Sequence, residues 1–186
     1  MRRVIRVVGA LAALSTLAAC VHEPAPTYQP GLASLQALRA GTTAIGVDDF
    51  GAGAGVNDSR HIMRGNSMTG GSDGAYSTYL QEALETELRN AGRLDAAARL
   101  RLSGTLTANQ LDATGFSIGQ ASVGARFVLT RDGQVVYDKV HTVDHQWESS
   151  FLGAVAIPAA MQGYAATVQK LTHELFSDPA FQAATR

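Results

Sequence analysis

The stretch that decides the fold is QASVGARFVLTRDGQVVYDKVHTVDHQW, Gln120 to Trp147. Two strand-like runs, Gln120 to Thr130 and Gln134 to Trp147, flank Asp132-Gly133. Asp-Gly between such runs is a strong hairpin signal. Two registers compete for it. A two-residue loop would pair Phe127 with Asp138 and Arg126 with Lys139. A three-residue loop, Arg131-Asp132-Gly133, pairs Leu129 with Val135, Phe127 with Tyr137 and Arg126 with Asp138. The second sets apolar on apolar and joins opposite charges, each pair favourable by about 0.2–1 kcal/mol, and is the expected one.

Upstream, Leu100, Leu102, Gly104 and Leu106 alternate with Arg101, Ser103 and Thr105, which predicts another strand. Thr43 to Phe50 predicts the first strand, with Ile45 and Val47 on one side. Between them Leu80, Leu84, Leu88 and Ala91 form an apolar stripe over Thr78 to Ala91, the mark of an amphipathic helix. Ser77 is placed to cap its start, and Gly92 stands where a helix end wants positive φ. Leu32 to Leu38 suits a helical turn or two. Downstream, a helix is expected from near Pro158, its residues Met161, Tyr164, Val168, Leu171 and Leu175 stepping by three and four until Ser177-Asp178-Pro179. Such a stripe could be the seam of a partner's coiled coil; a helix lying on its own sheet is the commoner reading. Glycine-rich Gly51 to Gly74 reads as an irregular loop. The order β-α-β-β-β-α predicts an α/β (α+β) domain: a small, mostly antiparallel sheet of about four strands with two main helices on one face.

The amino terminus carries a different message. Arg2, Arg3 and Arg6 precede an uncharged apolar run, Val7 to Ala19, the pattern of a secretory signal peptide. The run is shorter than the roughly 20 residues a membrane-spanning helix needs. Leu17-Ala18-Ala19-Cys20 resembles the bacterial lipobox, whose cysteine is acylated and becomes the new amino terminus. Cys20 is the chain's only cysteine, so no disulfide framework or Cys-rich zinc site competes for it. One acyl chain anchors marginally and two or more hold stably; the lipobox class carries two or three, palmitate among them. Val21 follows where the inner-membrane retention signal of that class would have aspartate, which implies an outer-membrane protein of a Gram-negative cell, facing the periplasm. Pro24, Pro26 and Pro30 then suggest a semi-rigid tether, reaching about 35 Å if extended as polyproline II. The expected division is therefore a signal peptide over 1–19, a lipidated cysteine and tether over 20–31, and one periplasmic domain over 32–186.

Composition narrows the function classes. Hydrophobic residues make up 46% and charged residues 17%, with a net charge of −1. This excludes a disordered acidic or basic tail and a nucleic-acid binder built on a strong positive field. Removing 1–19 takes away three arginines and no acid, so 15 basic side chains become 12 against 16 acidic ones. A domain of that sign has no electrostatic reason to lie flat on anionic lipid. Membrane attachment is expected through acyl chains.

The motifs that could carry chemistry are incomplete. Gly51-Ala52-Gly53-Ala54-Gly55 offers Val56 where a dinucleotide fingerprint needs its last glycine, and no cofactor is expected. Gly65-Asn66-Ser67-Met68-Thr69-Gly70 puts Thr69 where a nucleophile elbow needs glycine. A hydrolase pairing Ser67 with a histidine remains a weak rival. His141 and His145 are four apart, about 13 Å on a strand and too far for one metal ion. No catalytic or metal residues are therefore expected. Trp147, Phe151 and Leu152 cluster with the apolar Gly153 to Ile157 stretch; they are the candidate ligand or partner contacts, or else a plug at the end of the core.

The lipobox at Cys20, the strand ending Asp48-Asp49-Phe50 and the Leu80-Leu84-Leu88-Gly92 helix share a layout with Leu102-Ser103-Gly104-Thr105-Leu106, the Asp132-Gly133 hairpin and the terminal helix. That layout resembles the YajG-type family of bacterial envelope lipoproteins, and at the same level the auxiliary lipoproteins of ABC transporters. The resemblance implies an α/β envelope domain with no established catalytic residues. The expected function is a non-enzymatic outer-membrane lipoprotein that binds another cell-envelope component, most simply a protein. The alternative is a carrier of lipid or another apolar ligand serving a transporter. Metabolic labelling with a clickable fatty acid is expected to mark the wild-type protein in the outer-membrane fraction and to be lost in Cys20→Ser.

Overall fold

The computed structural model describes residues 22–186. The signal peptide and Cys20 lie outside them. In chain order the elements are β1 (His22–Pro24), α1 (Leu32–Arg39), β2 (Ile45–Ala52), β3 (His61–Met63), β4 (Asn66–Thr69), α2 (Tyr76–Asn90), β5 (Leu100–Asp112), β6 (Ile118–Arg131), β7 (Gln134–Glu148), α3 (Gly153–Ser177) and α4 (Pro179–Ala184). One sheet runs β2-β5-β6-β7 and a smaller one β1-β4-β3. In the large sheet only β2 and β5 are parallel, and α2 supplies the crossover that parallel neighbours require. The fold class is the expected one, with the small sheet and two short helices added.

The core forms where two periodicities meet. Along β6 every second residue from Ala121 to Leu129 is buried, as a strand with one covered face demands. Tyr164, Val168, Leu171 and Leu175 of α3 are buried against it, so the stripe serves the protein's own sheet. The helix begins at Gly153, ahead of Pro158. Pro158 is tolerated because the carbonyl it leaves unpaired, on Ala154, belongs to an exposed first turn. Helix α2 ends at Gly92 with φ 69° as expected. Its start is capped by Asp58 from the β2–β3 loop instead of by Ser77: Ser77 N–H donates to Asp58 Oδ1 at 2.6 Å and Ser77 Oγ–H to Oδ2 at 2.7 Å.

The hairpin takes neither expected register. Asp132 and Gly133 form a two-residue turn, at φ 51° and 80°, the twist-matched I′ geometry. Thr130 therefore faces Val135; then the register slips, and Leu129 faces Tyr137 and Arg126 faces Val140. The extra residue, Val136, makes a bulge that returns Tyr137, Val143 and Trp147 to the helix side. Arg126 and Asp138 still meet on the outer face, diagonally, with Arg126 Nε donating to Asp138 Oδ1 at 2.7 Å.

Gly51 to Gly74 also departs from the expected loop. It contains the β3–β4 hairpin, turned by Arg64 and Gly65 at φ 51° and 91°. These strands are too short for alternation to reveal them. The expected tether is corrected as well, because residues 22–31 are packed onto the domain. β1 pairs in parallel with β4, and Ala25 N–H donates to Thr69 O at 2.8 Å. Tyr28 is buried; its hydroxyl donates to Glu87 Oε1 at 2.7 Å and lies 2.9 Å from Thr172 Oγ1. Gly31 N–H donates to the same Glu87 oxygen at 2.8 Å. Burial pushes the Tyr28 phenol far above its ordinary pKa and keeps it a donor. The prolines hold the segment extended, and Tyr28 supplies the apolar area that fastens it. Tyr28→Phe leaves the buried Glu87 carboxylate one donor short, so a loss of about 1–3 kcal/mol is expected in chemical denaturation, with faster hydrogen exchange at Ala25 and Gly31.

Candidate functional site

Trp147, Phe151 and Leu152 do not act as one group. Trp147 ends β7 opposite Gly119 of β6 and beneath Gly163 of α3. A Cβ on Gly163 would stand 2.3 Å from the indole ring, and one on Gly119 would stand 2.5 Å from its Nε1. The two glycines make the slot that the ring fills. Trp147 is the core plug, its buried Nε1 without an acceptor among the described residues. Phe151 and Leu152 point the other way, 72% and 62% exposed.

The exposed pair belongs to a larger apolar end. Phe116 is 68% exposed, Ile118 and Val155 are also exposed, and the rings of Phe116 and Phe151 meet edge to face at 5.4 Å. Arg64 holds this end in shape. Its Nη1 donates to Phe151 O at 2.8 Å, its Nε to Ala113 O at 3.0 Å and its Nη2 to Gly115 O at 2.7 Å. The guanidinium also lies 5.7 Å from the Phe116 ring centroid. One side chain thus ties the β3–β4 turn to the β5–β6 and β7–α3 connections. Phe151 and Leu152 were visible in the sequence. Phe116 sits in the β5–β6 connection and Ile118 opens β6, and their only signal was an aromatic and an aliphatic residue beside a turn that should be polar.

A groove of about 760 Å³ opens beside the far half of β5, lined among others by Asn57, His61, Asn109, Asp112, Asp144 and His145. Its floor is a polar network. Tyr164 Oη donates to Asn109 Oδ1 at 2.8 Å, and Asn109 Nδ2 to Asn57 O at 2.6 Å. The His61 ring packs 4.7 Å from Tyr76 and 5.7 Å from Tyr164. Burial lowers its pKa, which keeps it neutral at pH 7. Burial and the neighbouring Lys170 lower His145 likewise, and Lys170 Nζ donates to its Nδ1 at 2.8 Å. His141 instead meets Tyr137 Oη at 2.6 Å. The two strand histidines thus serve separate partners, and among the described residues no three His, Cys, Asp or Glu side chains gather as a metal site needs.

Ser67 does meet a histidine, which the sequence did not place: its Oγ lies 2.5 Å from Nδ1 of His22, its cross-strand partner. Among the described residues no carboxylate bonds that histidine, and Ser67 stands within a strand rather than on a strand-to-helix turn. Between the helices and the large sheet, Leu84, Leu102, Phe127 and Leu171 are fully buried, so packed side chains occupy the place where an apolar ligand would sit. No helix among the described residues is long and apolar enough to cross a membrane.

No family model matches the chain, and no curated protein matches it by sequence. In structure it is similar to XCC0632 of Xanthomonas campestris, a DUF330 protein, with a TM-score of 0.56 and 16% identity over 88% of this chain and 92% of that one. Weaker likenesses reach a candidate lipoprotein of Caulobacter crescentus CB15 (TM-score 0.48, 14% identity, 82% and 97% covered) and CT253 of Chlamydia trachomatis (0.47, 9%, 75% and 96%). What is shared with XCC0632 is the fold. The two roles of the aromatic residues separate by experiment: Gly163→Ala is expected to displace the indole, shift Trp147 fluorescence and cost about 1–3 kcal/mol, whereas Phe151→Ser should change stability by no more than about 0.5 kcal/mol.

Proposed function

We propose that this chain is an outer-membrane lipoprotein of a Gram-negative cell, acylated at Cys20, whose periplasmic domain binds another component of the envelope without catalysing a reaction. The proposed division is a signal peptide over 1–19, the lipidated Cys20, and a single domain that takes in residues 22–31 together with 32–186. The layout resemblance to YajG-type lipoproteins and the fold shared with XCC0632 are in keeping with this reading.

The observation that carries the binding role is the open groove. Its rim bears Gln110, Gln120, Asp144 and Gln146, amide and carboxylate groups aimed at solvent on a sheet face with no covering helix. Such a surface suits a polar protein segment, whose backbone and side chains can satisfy both donors and acceptors. It does not suit the alternative, carriage of a lipid or apolar ligand for a transporter, which calls for a mainly apolar cavity. A photo-crosslinking amino acid at Gln146 is expected to trap a specific envelope protein in living cells, while the same group at Arg89, on the exposed side of α2, is not. Equal trapping at both positions, or none at Gln146, would remove the groove as the binding face.

A further inference from the structure

The direction of β1 relates the lipid anchor to the apolar end of the domain. β1 and β4 are parallel, with His22 opposite Ser67, Glu23 opposite Met68 and Pro24 opposite Thr69. β1 therefore begins at the end of the small sheet where β4 begins, beside the Arg64-Gly65 turn. Cys20 stands two residues before His22, so it lies within about 7 Å of it. Ser67 is three residues from Arg64, at most about 10 Å along the chain. Arg64 is the residue whose guanidinium grips the carbonyls of Phe151 and Gly115. Acyl chains on Cys20 would therefore leave the domain at the end that exposes Phe116, Ile118, Phe151, Leu152 and Val155.

We propose that this end is a membrane-docking surface: with Cys20 acylated, the five apolar side chains seat in the bilayer interface beside the acyl chains and hold the domain upright on the membrane. The proposal rests on the acylation of Cys20. Three features of the surface favour lipid as the occupant. The anchor's position delivers the patch to the bilayer, since residues 22–31 are fastened to the domain and leave no long tether to hold it away. The patch is built from the β5–β6 and β7–α3 connections with the first residues of β6 and α3, and none of its five side chains lines the groove in which a protein partner's helix or strand would seat. Arg64 already occupies the carbonyls of Phe151, Ala113 and Gly115, which reduces the unpaired polar surface that would enter the apolar layer. The charges nearby do not favour an electrostatic mode, because the Arg64 cation beside Phe116 is offset by Glu148, opposite Ile118, and by Asp112 on the same connection. Docking should accordingly depend on apolar insertion and be insensitive to anionic lipid and to salt.

The test uses the mature acylated protein in vesicles of phosphatidylethanolamine and phosphatidylcholine, with and without phosphatidylglycerol. An environment-sensitive NBD group is attached to the only free thiol, in Leu152→Cys, in Phe116→Cys, or in Gln134→Cys at the opposite end of the sheet. Mass spectrometry of the same samples reads acylation. The expected result is a blue-shifted NBD emission at 152 and 116, quenched by doxyl-labelled lipid, with neither effect at 134 and no dependence on phosphatidylglycerol. An acylated protein whose label at 152 and 116 stays as solvent-exposed as at 134 overturns the docking surface alone. A label shielded equally without vesicles, in a protein of doubled mass by light scattering, assigns the patch to a second copy and also overturns it. An unacylated Cys20 in protein recovered from cells overturns the lipoprotein reading itself.

Discussion

A helix of 25 residues spans about 37 Å, and its buried stripe needs a surface of comparable length. That requirement governs the rest of this fold. β5, β6 and β7 are 13 to 15 residues long, well beyond an ordinary strand of five or six, because α3 must be covered from Ala156 to Phe176. Small residues set the distance between the layers. Ala121 and Ala125 alternate with Val123 and Phe127 on β6, and Gly163 lets the helix close onto Trp147. The large aromatic side chains then fall into the spaces the small ones leave.

The length of the three strands creates a problem that the small sheet solves. β2 pairs with β5 only as far as Leu106, leaving the far half of β5 without a neighbour on that side. An open edge of this kind would be a pairing hazard. The 57–61 segment covers it through Asn109 and Asn57, and β1, β3 and β4 build outward from there. The groove and the apolar end both lie in this region. They are by-products of finishing a long sheet beside a shorter strand, and they leave polar and apolar surfaces facing different directions.

Fastening residues 22–31 to the domain changes the mechanical meaning of the amino terminus. A free proline-rich tether would let the domain tumble at a distance set by its contour. Here Glu87, wholly buried on α2, gathers Tyr28 and Gly31, and β1 begins next to the turn that organises the apolar end. β1 and the Arg64 turn are thereby held on the same small sheet. A buried carboxylate is costly unless it is bonded; the two donors from the amino-terminal segment satisfy Oε1, while Oε2 has no partner among the described residues.

The helices and long strands were legible in the sequence because their signals are local. Leu80, Leu84 and Leu88 recur within one helix, and the inward face of β6 can be read from alternation alone. Asp132-Gly133 announced its turn for the same reason. The lipobox at Cys20 is also a local signal and stands as sequence evidence only. What local pattern could not express was anything settled between distant residues. The Val136 bulge depends on which face of β7 the helix covers. β1 and β4 are three and four residues long and pair across 45 positions, and Tyr28 meets Thr172 across 144. Phe151 and Trp147 looked alike as apolar residues four apart. Only the tertiary structure sent one into the core and the other into solvent, because burial depends on what stands opposite a side chain, and for Trp147 that is a slot between Gly119 and Gly163.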